Sequence, residues 1–203
     1  MDLLAKSAYM LVGMIVDERI IYMKFENDQN EAVKNTTFLE RFEFRTIHNN
    51  EIDQAITIEH TCFPPHEACS PENMTSRIET ASDFFLVAVD KTTGRIAGFL
   101  NGIATNETEF KDEFFTDASN HDPGGANVMI CGLDVLPDYQ MKGLGRELVR
   151  QYGIREKARG RKSLVLTCLD SKVGMYLKFG FVDKGISGSV WAGEEWHEMN
   201  LAL

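Results

Sequence analysis

Positive charge is what this chain has little of. It carries 21 Lys and Arg against 31 Asp and Glu, a net charge of −10, and lacks the clustered basic residues that a nucleic-acid surface needs. An acidic surface attracts a cationic amine, but solubility alone accounts for it as well. Long apolar runs are missing too. The longest, Ala8 to Val16, is too short to span a bilayer. It has no basic leader or small-residue cleavage site and runs straight into Asp17, Glu18 and Arg19, so no signal peptide is expected. The four cysteines, Cys62, Cys69, Cys131 and Cys168, form no CxxC pair and show no metal-ligand spacing. Cys131 and Cys168 lie in apolar runs and read as buried reduced thiols, which fits a reducing cytoplasm. No internal repeat is present.

What remains is an ordinary soluble balance, 43% hydrophobic and 26% charged over 203 residues, enough for one domain with a small appendage. Residues 1–40 form the appendage: Leu4, Ala8, Leu11, Val12 and Ile15 recur at helical spacing, and the polar stretch from Glu26 to Thr37 reads as a linker. Ser7 to Ile15 resembles the opening helix of PadR-type winged-helix regulators. Four basic against seven acidic side chains in residues 1–40 argue against DNA binding there.

Residues 41–203 read as one α/β domain around a central sheet. Strands are expected at 41–47, 84–89, 95–104, 128–135, 163–168, 181–186 and 196–203, and helices at 50–61, 71–81, 143–158 and 171–179. Ser70 followed by Pro71 reads as an N-cap with proline at the first helical position. The acidic run Glu107 to Asp117 reads as a solvated face.

The most informative stretch is Leu133-Asp134-Val135 running through Pro137 into Gln140-Met141-Lys142-Gly143-Leu144-Gly145-Arg146. A strand here enters a Gln-x-x-Gly-x-Gly turn that opens a helix. The glycines remove Cβ atoms, so backbone N–H groups of the first turn can close around a pyrophosphate, aided by the helix dipole. Arg146 and Arg150, one turn apart, are placed to meet phosphate oxygens. There is no third glycine for a dinucleotide fold and no Gly-Lys-Ser/Thr for a nucleoside triphosphate loop.

This block resembles the acetyl-CoA-binding motif of the GNAT superfamily. A second block agrees: Ser163 to Cys168, then Tyr176-Leu177-Lys178-Phe179-Gly180-Phe181. Within the superfamily the chain is most similar to arylalkylamine (serotonin-type) N-acetyltransferases. That similarity is carried by Cys62-Phe63-Pro64-Pro65-His66-Glu67-Ala68, the run Glu79 to Ala88, and Cys168 to Phe181. The resemblance implies a GNAT fold, a central mixed and mostly antiparallel sheet flanked by helices with strands splayed at the acetyl-CoA site. It also implies acetyl-CoA as cosubstrate and direct attack by a small primary amine in a ternary complex. Leu133 N–H would polarise the thioester carbonyl, Val135 N–H would hold the pantetheine arm, and residues 140–146 would hold the pyrophosphate. Tyr176 would reprotonate the departing thiolate, a proton transfer suited to a phenol in a dry site.

One departure stands out. Vertebrate members carry two histidines on the strand before Leu133, where this chain has Met129 and Cys131. A free alkylamine has a pKa near ~10.4, so its proton must be removed. Glu67, beyond two prolines in the loop between the first two helices, and His121, with an ordinary pKa near ~6.5, are the candidates for that work. His48, His60 and His197 read as surface or packing residues. Trp191 and Trp196 leave an aromatic wall and plain packing both open. The expected partner is a small-molecule amine, with neither nucleic acid nor membrane, and a homodimer remains open. Polyamines, amino sugars, peptide N-termini, and a non-catalytic acyl-CoA-binding role are the alternatives.

Overall fold

A computed structural model describes residues 38–203. The helix expected around Leu4 to Ile15 and the linker from Glu26 to Thr37 lie outside the described residues. Residues 41–203 form one compact unit, with strands β1 (Phe42–Thr46), β2 (Phe85–Asp90), β3 (Arg95–Thr105), β4 (Asn127–Val135), β5 (Ser163–Leu169), β6 (Val182–Ile186) and β7 (Trp196–Ala202). The helices are α1 (Ile52–Cys62), α2 (Pro71–Ala81), a single turn α3 (Glu113–Thr116), α4 (Leu144–Ala158) and α5 (Asp170–Lys178). The seven strands order as β1-β2-β3-β4-β5-β7-β6. Every pair is antiparallel except β4 with β5, which gives the mixed, mostly antiparallel sheet expected.

β2 is buried along its whole length and β3 beyond Arg95, as for strands covered on both faces. Ala55 and Ile58 of α1 with Met74 and Ile78 of α2 pack on Phe85, Val87, Val89 and Phe99. Side chains alternate across a strand, and that alternation sorts the helices. On β4, Asp134 faces Glu59 of α1, while Leu133 and Val135 face Gly145 of α4. α1 and α4 therefore cover opposite faces. α2 starts as its sequence predicts: Ser70 Oγ accepts the Asn73 N–H at 3.2 Å and Pro71 is the first helical residue.

The acidic stretch departs from expectation. Phe110 and Phe114 are buried in it, and their rings meet edge to face at 5.6 Å. A further helical turn, α3, forms there, so the stretch is a hydrophobic clamp carrying charges on its outer side. Its charged residues masked the widely spaced phenylalanines.

Two irregularities shape β4. Asn101 pairs with Gly132 and Gly102 with Ile130, so Cys131 is an extra residue in a β-bulge, a device that re-aims a strand's side chains. β4 also pairs with β5 only from Asn127–Ser163 to Met129–Val165. Beyond that point β4 follows β3 and β5 follows β7, and the two strands part.

Candidate active site

The gap between β4 and β5 is lined by backbone. Leu136 N–H donates to Ala97 O at 3.0 Å, so alternation along the strand turns the amides of Leu133 and Val135 away from β3 and toward the gap. Val135 O confirms the direction: it accepts from Gln140 Nε2 at 2.8 Å and from Cys62 Sγ at 3.3 Å instead of from a neighbouring strand. Burial and the Asp134 carboxyl push the Cys62 thiol up to about 12.

The turn leaving β4 is held at both ends. Tyr139 Oη donates to Asp90 Oδ2 at 3.1 Å, and Lys142 Nζ to Asp138 O at 2.7 Å. Met141 and Gly143 have φ of 57° and 89°; glycine takes such a φ without strain, and Met141 holds it on a fully exposed side chain. α4 then opens with its first N–H groups lacking intrahelical acceptors. A Cβ on Gly145 would lie 3.7 Å from Val135 Cγ2 and 3.9 Å from Leu133 Cδ2, so the helix start rests on the same two residues that line the gap. Leu133, Val135 and Gln140 to Arg146 are thereby brought together, with Arg146 exposed. Arg150 is placed differently from expectation. Its guanidinium donates to both oxygens of the buried Glu147, at 2.8 and 2.7 Å, because a buried carboxylate needs a partner more than solvent does.

Tyr176 of α5 packs edge to face on Phe179 and Phe181, with centroids 5.9 and 5.5 Å away. Burial of the phenol raises its pKa above the ordinary range, with Cys168 and Asp134 adding to the shift. The phenol therefore stays protonated.

A wall forms on the α1 side. Glu67 N–H closes a turn on Pro64 O at 3.0 Å, its main-chain carbonyl accepts Trp191 Nε1 at 3.2 Å, and its carboxylate lies 3.6 Å from His66 Nε2. Trp191 packs at a tilt against Phe115, ring centroids 5.0 Å apart, and Trp196 Nε1 donates to Trp191 O at 2.9 Å. Asp112 accepts from Ser189 Oγ and Val190 N–H. The two tryptophans are thus part of a wall joining three loops. His197 bonds Asp183 at 3.1 Å, the packing role expected of it.

His121 is placed elsewhere. Its Nδ1 accepts the Ala104 N–H at 3.1 Å, and Ala104 pairs with Val128, roughly 16 Å of strand from Leu133 at the usual rise per residue. Burial first and the Arg161 charge second lower its pKa, and the ring nitrogen a base would use is occupied. The loop's short sequence distance to β4 concealed that it joins the strand's other end. A groove of about 650 Å³ between Glu109–Glu113 and Lys184–Ser189 includes none of the gap residues.

A buried polar cluster escaped the sequence reading. Glu59, Arg77, Asn101 and Asp134 all lie under 5% exposed. Arg77 donates to Asn101 Oδ1 at 2.9 Å and to Phe115 O at 2.6 Å, while Glu59 Oε1 accepts the Cys69 N–H at 2.8 Å. An aspartate inside an apolar strand was the one signal of it.

The family model described as "Acetyltransferase (GNAT) family" matches residues 52–181. A probable hydrolase, YhcX, of Bacillus subtilis (strain 168) is 26% identical over 157 residues, 74% of this chain and 30% of that protein. An uncharacterized N-acetyltransferase, YkwB, of the same organism is 28% identical over 123 residues, 54% of each chain. The chain thus spans about half or less of the curated relatives it matches. Among solved structures, the GphF GNAT-like decarboxylase in complex with isobutyryl-CoA superposes with a TM-score of 0.68 at 18% identity, covering 79% of this chain and 98% of that one.

Proposed function

The chain belongs to the acetyltransferase (GNAT) family, and from that premise we propose that it transfers acetyl from acetyl-CoA to the nitrogen of a small primary amine of arylalkylamine type. The observation that carries the reading is the β4–β5 gap. Amides of Leu133 and Val135 face it, the glycine-flanked start of α4 closes one end, and the neutral phenol of Tyr176 lies on α5, the helix that follows β5. Residues 140–146 hold the pyrophosphate on main-chain N–H groups at the start of α4. Val135 N–H holds the pantetheine amide, and Leu133 N–H stabilises the oxyanion that forms when the amine attacks. The ammonium first loses one proton to solvent. The nitrogen then bonds to the carbonyl carbon and passes its surplus proton through water to Glu67, the C–S bond breaks, and the sulfur leaves with its electron pair and takes a proton from Tyr176, which regains one from solvent. The Phe115–Trp191 pair supports an apolar, aromatic body on the acceptor, and the Glu67 carboxylate supports an ammonium arriving in its charged form.

The test is thiol release from acetyl-CoA over a panel of tryptamine, tyramine, spermidine, glucosamine and a short peptide with a free N-terminus. The expected result is turnover led by the two arylalkylamines. Turnover led by spermidine or the peptide removes the arylalkyl part of the reading, and release with no amine removes acetyl transfer to amines altogether.

A further inference from the structure

β3 and β4 are antiparallel neighbours that pair as far as Thr105 with Asn127, yet the connection between them takes in all of residues 106–126. Such a pair needs a loop of only about two to five residues, so closing the hairpin does not explain its length. Its hydrogen bonds point elsewhere. Cys131 Sγ, at the β4 bulge, donates to Phe114 O at 3.3 Å, and Arg77 of α2 donates to Phe115 O at 2.6 Å. Phe110 N–H donates to Glu198 Oε2 of β7 at 2.9 Å. Asp112 accepts from Ser189 Oγ at one carboxyl oxygen and from Val190 N–H at the other, both in the loop between β6 and β7.

These anchors lie on both sides of the parted strands. The last rung joining β4 to β5 is Met129 with Val165. Cys131 follows that rung on β4, while Glu198 faces Thr167, which follows it on β5. The insertion therefore bridges the two strands just where they have come apart. Phe114 turns into the core at 3% exposure, whereas Phe115 beside it is only half-buried. The Phe115 ring packs on Phe110 at 4.8 Å and on Trp191 at 5.0 Å, and Trp191 Nε1 is held by Glu67 O at 3.2 Å. Ala192, next to Trp191, holds a φ of 57°, a conformation that a residue with a Cβ keeps where its surroundings fix it. Asp112 acting on Val190 and the two indole bonds at Trp191 supply that constraint.

We propose that the 106–126 insertion is the selectivity element of the acceptor site, with Phe115 receiving the aromatic body of the amine and Asp112 positioning Phe115 against Trp191. This rests on the amine-acetylation reading above. The ring of an arylalkylamine adds to an aromatic pair already in place and gains from both burial and ring geometry, while its ammonium lies toward Glu67. A short alkylamine brings the ammonium without the ring. Discrimination between the two therefore reads the insertion.

The test compares tryptamine with propylamine as acceptors. Losing one wall of an apolar pocket costs about tenfold or more in discrimination. Phe115→Ala should therefore lower the ratio of kcat/KM for tryptamine over propylamine at least about tenfold, through the KM for tryptamine and not through kcat. Asp112→Ala, which loses both acceptor oxygens, should lower the ratio as far, and Asp112→Asn, which keeps one, should fall between it and the parent. Phe115→Leu keeps apolar bulk in the fold and should still lower the ratio. A role in folding alone would lower both amines together. Calorimetric titration of tryptamine into the CoA-loaded protein reads the same site without turnover, and Phe115→Ala and Asp112→Ala should each weaken that binding about tenfold. Folded variants that keep the parent's ratio and tryptamine affinity overturn the proposal and leave amine acetylation standing. A parent that binds tryptamine but releases no thiol, with binding weakened in both variants, removes acetyl transfer and keeps the aromatic site. A parent that neither binds nor acetylates tryptamine removes both.

Discussion

At Tyr176 burial does two things at once. It keeps the phenol neutral, because a phenolate is poorly solvated on a half-buried side chain, and it leaves the residue able to give a proton across the working pH range. The raised pKa means Tyr176 supports the fold below the ordinary phenol range near ~10 and that this contribution changes only above it, so an alkaline fall in activity between pH 8 and 9 does not come from this group. Tyr176→Phe is expected to bind acetyl-CoA within about twofold of the parent and to turn over about 10²-fold more slowly, measured by calorimetry beside thiol release. Full activity in the Phe variant at every pH would take Tyr176 out of the chemistry. From type alone this tyrosine looked like an amphipathic helix residue, and only its Tyr-x-x-Phe-Gly-Phe setting marked it.

Among the elements, the start of α4 is the most exacting. Gly143 at φ 89° admits no other residue without strain, whereas Gly145 is helical and a Cβ there meets only ordinary contacts at 3.7 and 3.9 Å. Gly145→Ala should therefore fold at least as stably as the parent, since alanine gains up to about 1 kcal/mol over glycine inside a helix. Gly145→Val, larger and set where backbone must approach the ligand, should weaken acetyl-CoA binding by more than about tenfold by calorimetry while remaining folded by circular dichroism. Unchanged affinity in that variant would move the pyrophosphate away from this turn. β4 is the other decisive element, because its bulge at Cys131 and its parting from β5 turn an ordinary central strand into the edge of a binding gap.

Over the whole molecule, the strands join in one seven-stranded sheet, and α4 is fastened to it by Tyr152, whose hydroxyl donates to Phe84 O at 3.0 Å. Among the described residues, no helix is long and apolar enough to cross a membrane. The gap, the turn and Tyr176 all lie in residues 41–203. A chain beginning at Phe38 should bind acetyl-CoA with the full chain's Kd and unfold in one cooperative transition. Binding weaker by more than about threefold would show that residues 1–37 contribute to the site.

The sequence by itself determined the order of strands and helices, the α2 cap at Ser70 and Pro71, and the Gln140 to Arg146 turn. Each is written in neighbouring residues, through side-chain periodicity, a capping hydroxyl or the absence of a Cβ. Tertiary structure alone decided that Glu59 and Asp134 are buried together, that His121 sits at the wrong end of β4, and that Phe110 and Phe114 are buried in an acidic loop. These outcomes depend on which distant segments the sheet order and the β4 bulge bring together. A buried ionisable group takes its protonation state from those neighbours and not from its place in the chain.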